Sequence, residues 1–248
     1  MMRLLFLLSI FLPLASCIMA PVPRVDRRPP SRESLHYAQQ RVSAIIVTRQ
    51  ADITDWVRRG FPKSQTPPDT DGGTACPITA DGYFLTADHV VKNHTTHVVH
   101  VLYGRGRQLQ IERGRVVWRD AKYDVALLHA PIATPTFYRF TSPMTPIPEG
   151  TSVFHGGLTT GLKPQFGALN TTIPAQSILT GAQPFRIDIP LQPGDSGGPI
   201  LDARAQLIGI NSSVEFLIPL ETPIFTESSG VRPNVRKVMK IIERDRRR

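Results

Sequence analysis

Gln192-Pro193-Gly194-Asp195-Ser196-Gly197-Gly198-Pro199 is the stretch of this 248-residue chain on which its fold turns. Three glycines and two prolines within eight residues cannot sustain a helix or a central strand, so the segment reads as a sharp loop. Runs at 185–189 and 199–202 flank it and read as strands. Further out the same grammar repeats. Turn signals at Asp81-Gly82, 104–106, 120–122, 143–150 and Gly156-Gly157 separate candidate strands at 42–48, 83–86, 97–103, 108–118, 124–129, 151–155, 165–172 and 206–212. With 23 prolines and 18 glycines, many short elements are expected: an all-β chain built as two small antiparallel barrels or a sandwich. Ser31 stands where it would cap a short helix through Gln40, and residues 49–71 read as a long surface insertion. Val235, Val238, Met239, Ile241 and Ile242 recur at near-helical spacing, so an amphipathic helix is expected over 233–243.

Two more segments stand out upstream of the glycine loop: Phe84-Leu85-Thr86-Ala87-Asp88-His89-Val90-Val91 and Lys122-Tyr123-Asp124-Val125-Ala126-Leu127-Leu128. Together, in the order His, Asp, Ser, the three segments resemble the chymotrypsin-like serine proteases, and more closely the bacterial trypsin-like, HtrA-like branch. The resemblance covers roughly residues 41–243 with the 49–71 insertion outside it, and implies two six-stranded antiparallel β-barrels with a C-terminal helix. It also implies roles. Ser196 would be the nucleophile, His89 the base that takes its proton, and Asp124 the carboxylate that fixes the imidazole tautomer and steadies the imidazolium. Glycine permits backbone geometries closed to other residues, so the loop can turn the Gly194 and Ser196 N–H groups toward one point, an oxyanion hole. The family places its substrate pocket on Pro190, Leu191 and Gln192 before the loop and on Ile210, Asn211 and Ser212 after it. Pro190 falls where trypsin-type enzymes hold an Asp, so an uncharged residue before the scissile bond is expected.

Asp195 mixes two branches of that family. In the secreted digestive enzymes the matching Asp pairs with a new N-terminal ammonium, whereas HtrA-like relatives commonly carry Asn there. Some other group in this chain must neutralise Asp195, and the sequence does not name it.

Residues 1–16 hold Arg3 and an apolar run over 4–14, too short to span a bilayer and in keeping with a secretory signal peptide. Leu14-Ala15-Ser16-Cys17 resembles the bacterial lipobox, which implies cleavage before Cys17 and acylation of its thiol. Each buried methylene contributes about 0.8 kcal/mol, so two or three acyl chains would hold the protein on a membrane. Ile18 stands where an inner-membrane retention Asp would lie, so the expected address is the outer membrane, facing the periplasm. Residues 17–31 read as a lipidated N-terminus and a flexible or extended tether, and 32–248 as the protease domain with no PDZ-like domain after it. With Cys17 acylated, Cys76 is left without a disulfide partner and reads as a small buried apolar residue.

The formal charge of +9 invites a nucleic-acid reading, but the aromatic residues, 7% of the chain, do not interleave with the basic clusters at 24–28 and 244–248. No nucleic-acid partner is expected, and a solvated basic surface or contact with anionic lipid accounts for the charge. His94, His97 and His100 recur every third residue, a spacing that puts strand neighbours on opposite faces, so neither a metal nor any other cofactor is implied. Two functions follow from the sequence. One is a serine endopeptidase acting on envelope or extracytoplasmic polypeptides through an acyl-enzyme; the other is a membrane-anchored lipoprotein that binds extended peptides in the cleft without turnover.

Overall fold

The computed structural model describes residues 23–41, 43–155, 164–192, 194–217 and 224–248. The signal peptide, Cys17, Pro193 and the Gly156-Gly157 turn lie outside the described residues. Strands β1 (Ser43–Thr48), β2 (Asp71–Pro77), β3 (Tyr83–Thr86), β4 (Val98–Tyr103), β5 (Gln110–Asp120) and β6 (Val125–His129) close into a barrel in the order β1-β2-β3-β6-β5-β4. A second sheet holds β7 (Ser152–His155), β8 (Gln165–Ala168), β9 (Gln183–Ile187), β10 (Pro199–Asp202), β11 (Leu207–Leu217) and β12 (Ile224–Arg232) in the order β8-β7-β10-β11-β12-β9. Its two edges meet through a bridge between Leu169 and Ile187 and a 2.8 Å bond from the Asn170 N–H to the Arg186 carbonyl. The expected pair of antiparallel barrels is the architecture the chain adopts. Among the described residues three α-helices accompany them: α1 (Arg32–Gln39), α2 (Thr54–Arg58) and α3 (Val235–Asp245).

Successive residues of a strand point to opposite faces, and β3 and β6 use both faces for burial. Phe84 and Leu128 fill the first barrel with Ile45 and Val101, while their neighbours Leu85 and Leu127 point out toward the second barrel. There they meet Cys76, Phe154, Leu201, Leu207 and Ile210, and Val238 and Ile242 of α3 complete the cluster. This explains why β3 and β6 read as unbroken apolar runs. A fully buried side chain of this size contributes roughly 1.5–3 kcal/mol, so the seam between the barrels is a core in its own right. Cys76 is buried there as expected, and desolvation pushes its thiol well above the usual range, which makes it inert.

Two segments differ from their sequence reading. Residues 23–31, expected to belong to a flexible or extended tether, are held to the second barrel: the Ser152 N–H donates to the Asp26 carbonyl at 2.7 Å. Asp26 also binds Arg28 at 2.8 and 2.6 Å, and the Ser31 side chain caps α1, accepting from the Ser34 N–H. The 49–71 insertion is not a bare loop. It contains α2, whose Trp56 and Val57 pack with Ile53 against Ala44 and Leu102 on the outside of the first barrel.

Candidate active site

The turn after β3 carries His89, and the residue before β6 is Asp124. Asp124 has φ +53°, a left-handed conformation that non-glycine residues adopt only at some cost, and it brings the carboxylate up against the histidine. His89 Nδ1 lies 2.9 Å from Asp124 Oδ2 and 3.0 Å from Oδ1, and the His89 backbone N–H donates to Oδ1 at 2.9 Å. Carboxylate oxygens only accept, so Nδ1 carries a proton in this pair. Ser212 of β11 donates its hydroxyl to Asp124 Oδ2 at 2.5 Å. Burial pushes the Asp124 carboxyl up, but the hydrogen bonds from the His89 ring, the Ser212 hydroxyl and the His89 amide outweigh it and hold the group below its usual range. The same His89–Asp124 bond outweighs the desolvation of the half-buried imidazole and raises its pKa.

The glycine loop reaches this pair from the second barrel, across the start of β2. The Thr74 N–H donates to the Ser196 carbonyl at 2.8 Å, and the Thr74 hydroxyl donates to the Gly194 carbonyl at 2.8 Å. Gly73 is pinched between the two halves of the site: a Cβ there would come within 2.8 Å of Val90, next to His89, and 2.9 Å of the Ser196 carbonyl. Gly197, at φ +81°, packs so closely that a Cβ would meet the Thr74 carbonyl and the Thr86 hydroxyl at 2.3 Å. The backbone of Ser196 therefore lies one residue-width of β2 away from the histidine turn. Among the described residues no hydrogen bond joins the Ser196 hydroxyl to His89, a contact that in unliganded enzymes is often long and tightens on substrate.

The loop's amides divide into two sets. Asp195 N–H donates to the Gln192 carbonyl at 2.9 Å, Gly197 N–H to Asn211 at 2.8 Å, and Gly198 N–H to Asp195 at 2.9 Å. The N–H groups of Gly194, with φ +96°, and of Ser196 have no acceptor among the described residues.

The sequence-expected pocket residues fall in different places. Pro190 and Gln192 are exposed, whereas Leu191 is sealed in the core of the second barrel and Ile210 in the seam between barrels. Only the backbone at Leu191 and Ile210 can face a substrate. Asn211 is buried and clamps the loop through its backbone, accepting from Gly197 and donating to the Gly198 carbonyl at 2.8 Å. Ser212 spends its hydroxyl on Asp124 rather than on a pocket. A further clamp escaped the sequence reading: Arg119 of β5 binds Asp88 at 2.6 and 2.8 Å and so braces the turn that presents His89.

The trypsin-like peptidase domain model matches residues 73–210, more than half of the chain, and takes in His89, Asp124 and the glycine loop. The chain belongs to the trypsin-like peptidase family. Within that family, the chain is 30% identical over 166 residues to a Halomonas elongata protein named "Probable periplasmic serine endoprotease DegP-like", covering 64% of its own length and 30% of that relative's. A protein of the same name from Ectopseudomonas mendocina is 27% identical over 170 residues, with 61% and 33% covered. The chain thus spans about a third of the length of the curated relatives it matches. Among solved structures, the HtrA-type protease AlgW with decapeptide superimposes at TM-score 0.60, 20% identity, over 85% of this chain and 66% of that one. AlgW with tripeptide gives 0.59 at 20% identity over 86% and 64%. The trypsin-like fold of the two barrels is shared with these proteases.

Proposed function

We propose that this trypsin-like peptidase is a serine endopeptidase that cleaves polypeptides of the bacterial envelope. The observation that carries the reading is the His89–Asp124 pair, held by both carboxylate oxygens beside a glycine loop whose Gly194 and Ser196 amides have no acceptor among the described residues. Ser196 Oγ attacks the scissile carbonyl carbon while His89 Nε2 removes its proton. The carbonyl oxygen becomes an oxyanion and is met by the Gly194 and Ser196 N–H groups, and Asp124 stabilises the imidazolium. His89 then hands the proton to the departing amine as the C–N bond breaks, leaving an acyl ester on Ser196. Water, deprotonated by His89, hydrolyses that ester and regenerates the serine.

The substrate reading follows from the surroundings. AlgW is recorded with bound oligopeptides, the DegP-like relatives are named periplasmic, and a signal peptide with acylation at Cys17 would place this domain on the envelope, at the periplasmic face of the outer membrane. With Pro190 and Gln192 at the rim and no acidic side chain among 190–192 and 210–212, the residue before the scissile bond is uncharged. Incubating the full chain with an unfolded protein such as casein tests the activity. Fragments are expected with wild type and not with Ser196→Ala or His89→Ala. Binding of casein without fragments from the wild type would instead support the peptide-binding lipoprotein.

A further inference from the structure

Asp195 lies against His155. Both residues are fully buried, Asp195 directly before Ser196 and His155 at the end of β7. Asp195 Oδ2 accepts from the Gln192 N–H at 3.1 Å, but among the described residues Oδ1 has no hydrogen-bond partner. His155 Nε2 lies 3.8 Å from that oxygen and is likewise without a partner. The other ring nitrogen is committed: Nδ1 sits 2.8 Å from the Pro199 carbonyl, which can only accept, so Nδ1 carries a proton. The ring also fills the space beneath Gly198, where a Cβ would come within 2.5 Å of His155 Cε1 and 2.9 Å of the Asp195 carbonyl. His155 therefore touches the nucleophile loop on both sides of Ser196.

Two unpartnered polar atoms facing each other in a site closed to water are costly unless something joins them. A single proton suffices. Placed between Nε2 and Oδ1, it turns the gap into a charge-assisted hydrogen bond after a contraction of about 1 Å. We propose that His155 is a positioning residue for the nucleophile loop, sharing one proton with Asp195 and so holding the Gly194 and Ser196 amides toward a common point. The inference rests on the reading of Ser196 as nucleophile.

The test compares the full chain as wild type, His155→Gln, Asp195→Asn and the double variant. Three quantities are read: the rate of covalent labelling by a fluorophosphonate, kcat and KM on one peptide substrate, and the melting temperature. His155→Gln cannot take up a second proton and leaves the buried carboxylate without a countercharge, and is expected to slow labelling and kcat by about a hundredfold while KM stays within about threefold. Adding Asp195→Asn removes the stranded charge and is expected to restore both rates to within about tenfold of wild type. A ring that merely fills space would give no such rescue. Wild-type rates in His155→Gln, or a double variant no faster than His155→Gln, overturn the inference while leaving the serine protease reading intact. If His155→Gln does not fold, the double variant is expected to fold, and its failure to do so overturns the inference equally. A folded wild type inert to the probe removes the nucleophile, and the positioning role with it.

Discussion

The hydrogen bonds converging on the Asp124 carboxylate set how His89 responds to pH. They keep Asp124 ionised, and Asp124 in turn raises the imidazole above its usual range. Only neutral His89 can accept the Ser196 proton, so kcat/KM is expected to fall as pH drops, with a midpoint above the ordinary imidazole value of about 6.5. Asp124→Asn removes the raising contact, so the limb should move to lower pH while the rate falls by about ten-thousandfold; a pH–rate profile reads both effects. Gly197→Ala puts a methyl group where the Thr74 carbonyl and Thr86 hydroxyl already lie and demands φ +81° of a non-glycine residue. A loss of at least about a hundredfold in kcat is expected, because the displaced loop also moves the oxyanion donors. At this scale His89, Asp124, Ser196 and the loop glycines were legible, because scarce residue types stand in distinctive local strings. Ser212, Arg119 and His155 were not: Ser212 meets Asp124 across 88 residues and Arg119 meets Asp88 across 31, and nothing in the intervening sequence marks the contact.

Elements show what fixes the site's platform. Helix α3 inserts Val238 and Ile242 into the seam between the barrels, while its end is tied to the first barrel by Asp245, which accepts from the Tyr83 hydroxyl at 2.8 Å and from Arg115 at 2.9 Å. Arg246 adds a two-pronged contact to Asp81, both bonds at 2.7 Å. Ile242→Ala is expected to cost about 2–5 kcal/mol by chemical denaturation, whereas Arg246→Ala, removing a largely exposed pair, should cost less than about 1 kcal/mol. The Arg246 guanidinium lowers the Asp81 carboxyl to about 2. A depressed folded-state value means that its small contribution is present above pH of about 4 and is lost as pH falls toward 2. The helix was legible from its apolar period, and most strands from turn-bounded apolar runs. Strand β12 was not, because Thr226, Glu227, Ser228 and Ser229 break the alternation and only pairing with β9 and β11 makes it a strand. The docking of residues 23–31 was equally hidden, since a backbone bond from Ser152 to Asp26 needs no particular side chain.

For the whole molecule, two barrels meeting at a shared apolar seam bring His89 and Asp124 from one barrel to a serine loop from the other. Close packing of that seam is what brings the His89 turn and the glycine loop, more than a hundred residues apart in sequence, to one place. The proposed address is a separate matter and tests separately: Cys17→Ala should move the protein from the membrane fraction to the soluble fraction and abolish incorporation of an alkynyl fatty acid. Retention in the membrane with no lipid incorporated would contradict acylation at Cys17. The central claim is that the serine of the glycine loop is a nucleophile activated by His89. Treating the folded chain with a fluorophosphonate and mapping the adduct by peptide mass spectrometry tests it most directly. A single adduct on Ser196, absent from Ser196→Ala and strongly slowed in His89→Ala, is the predicted result; a folded chain that takes no adduct, or keeps it after Ser196→Ala, would contradict the account.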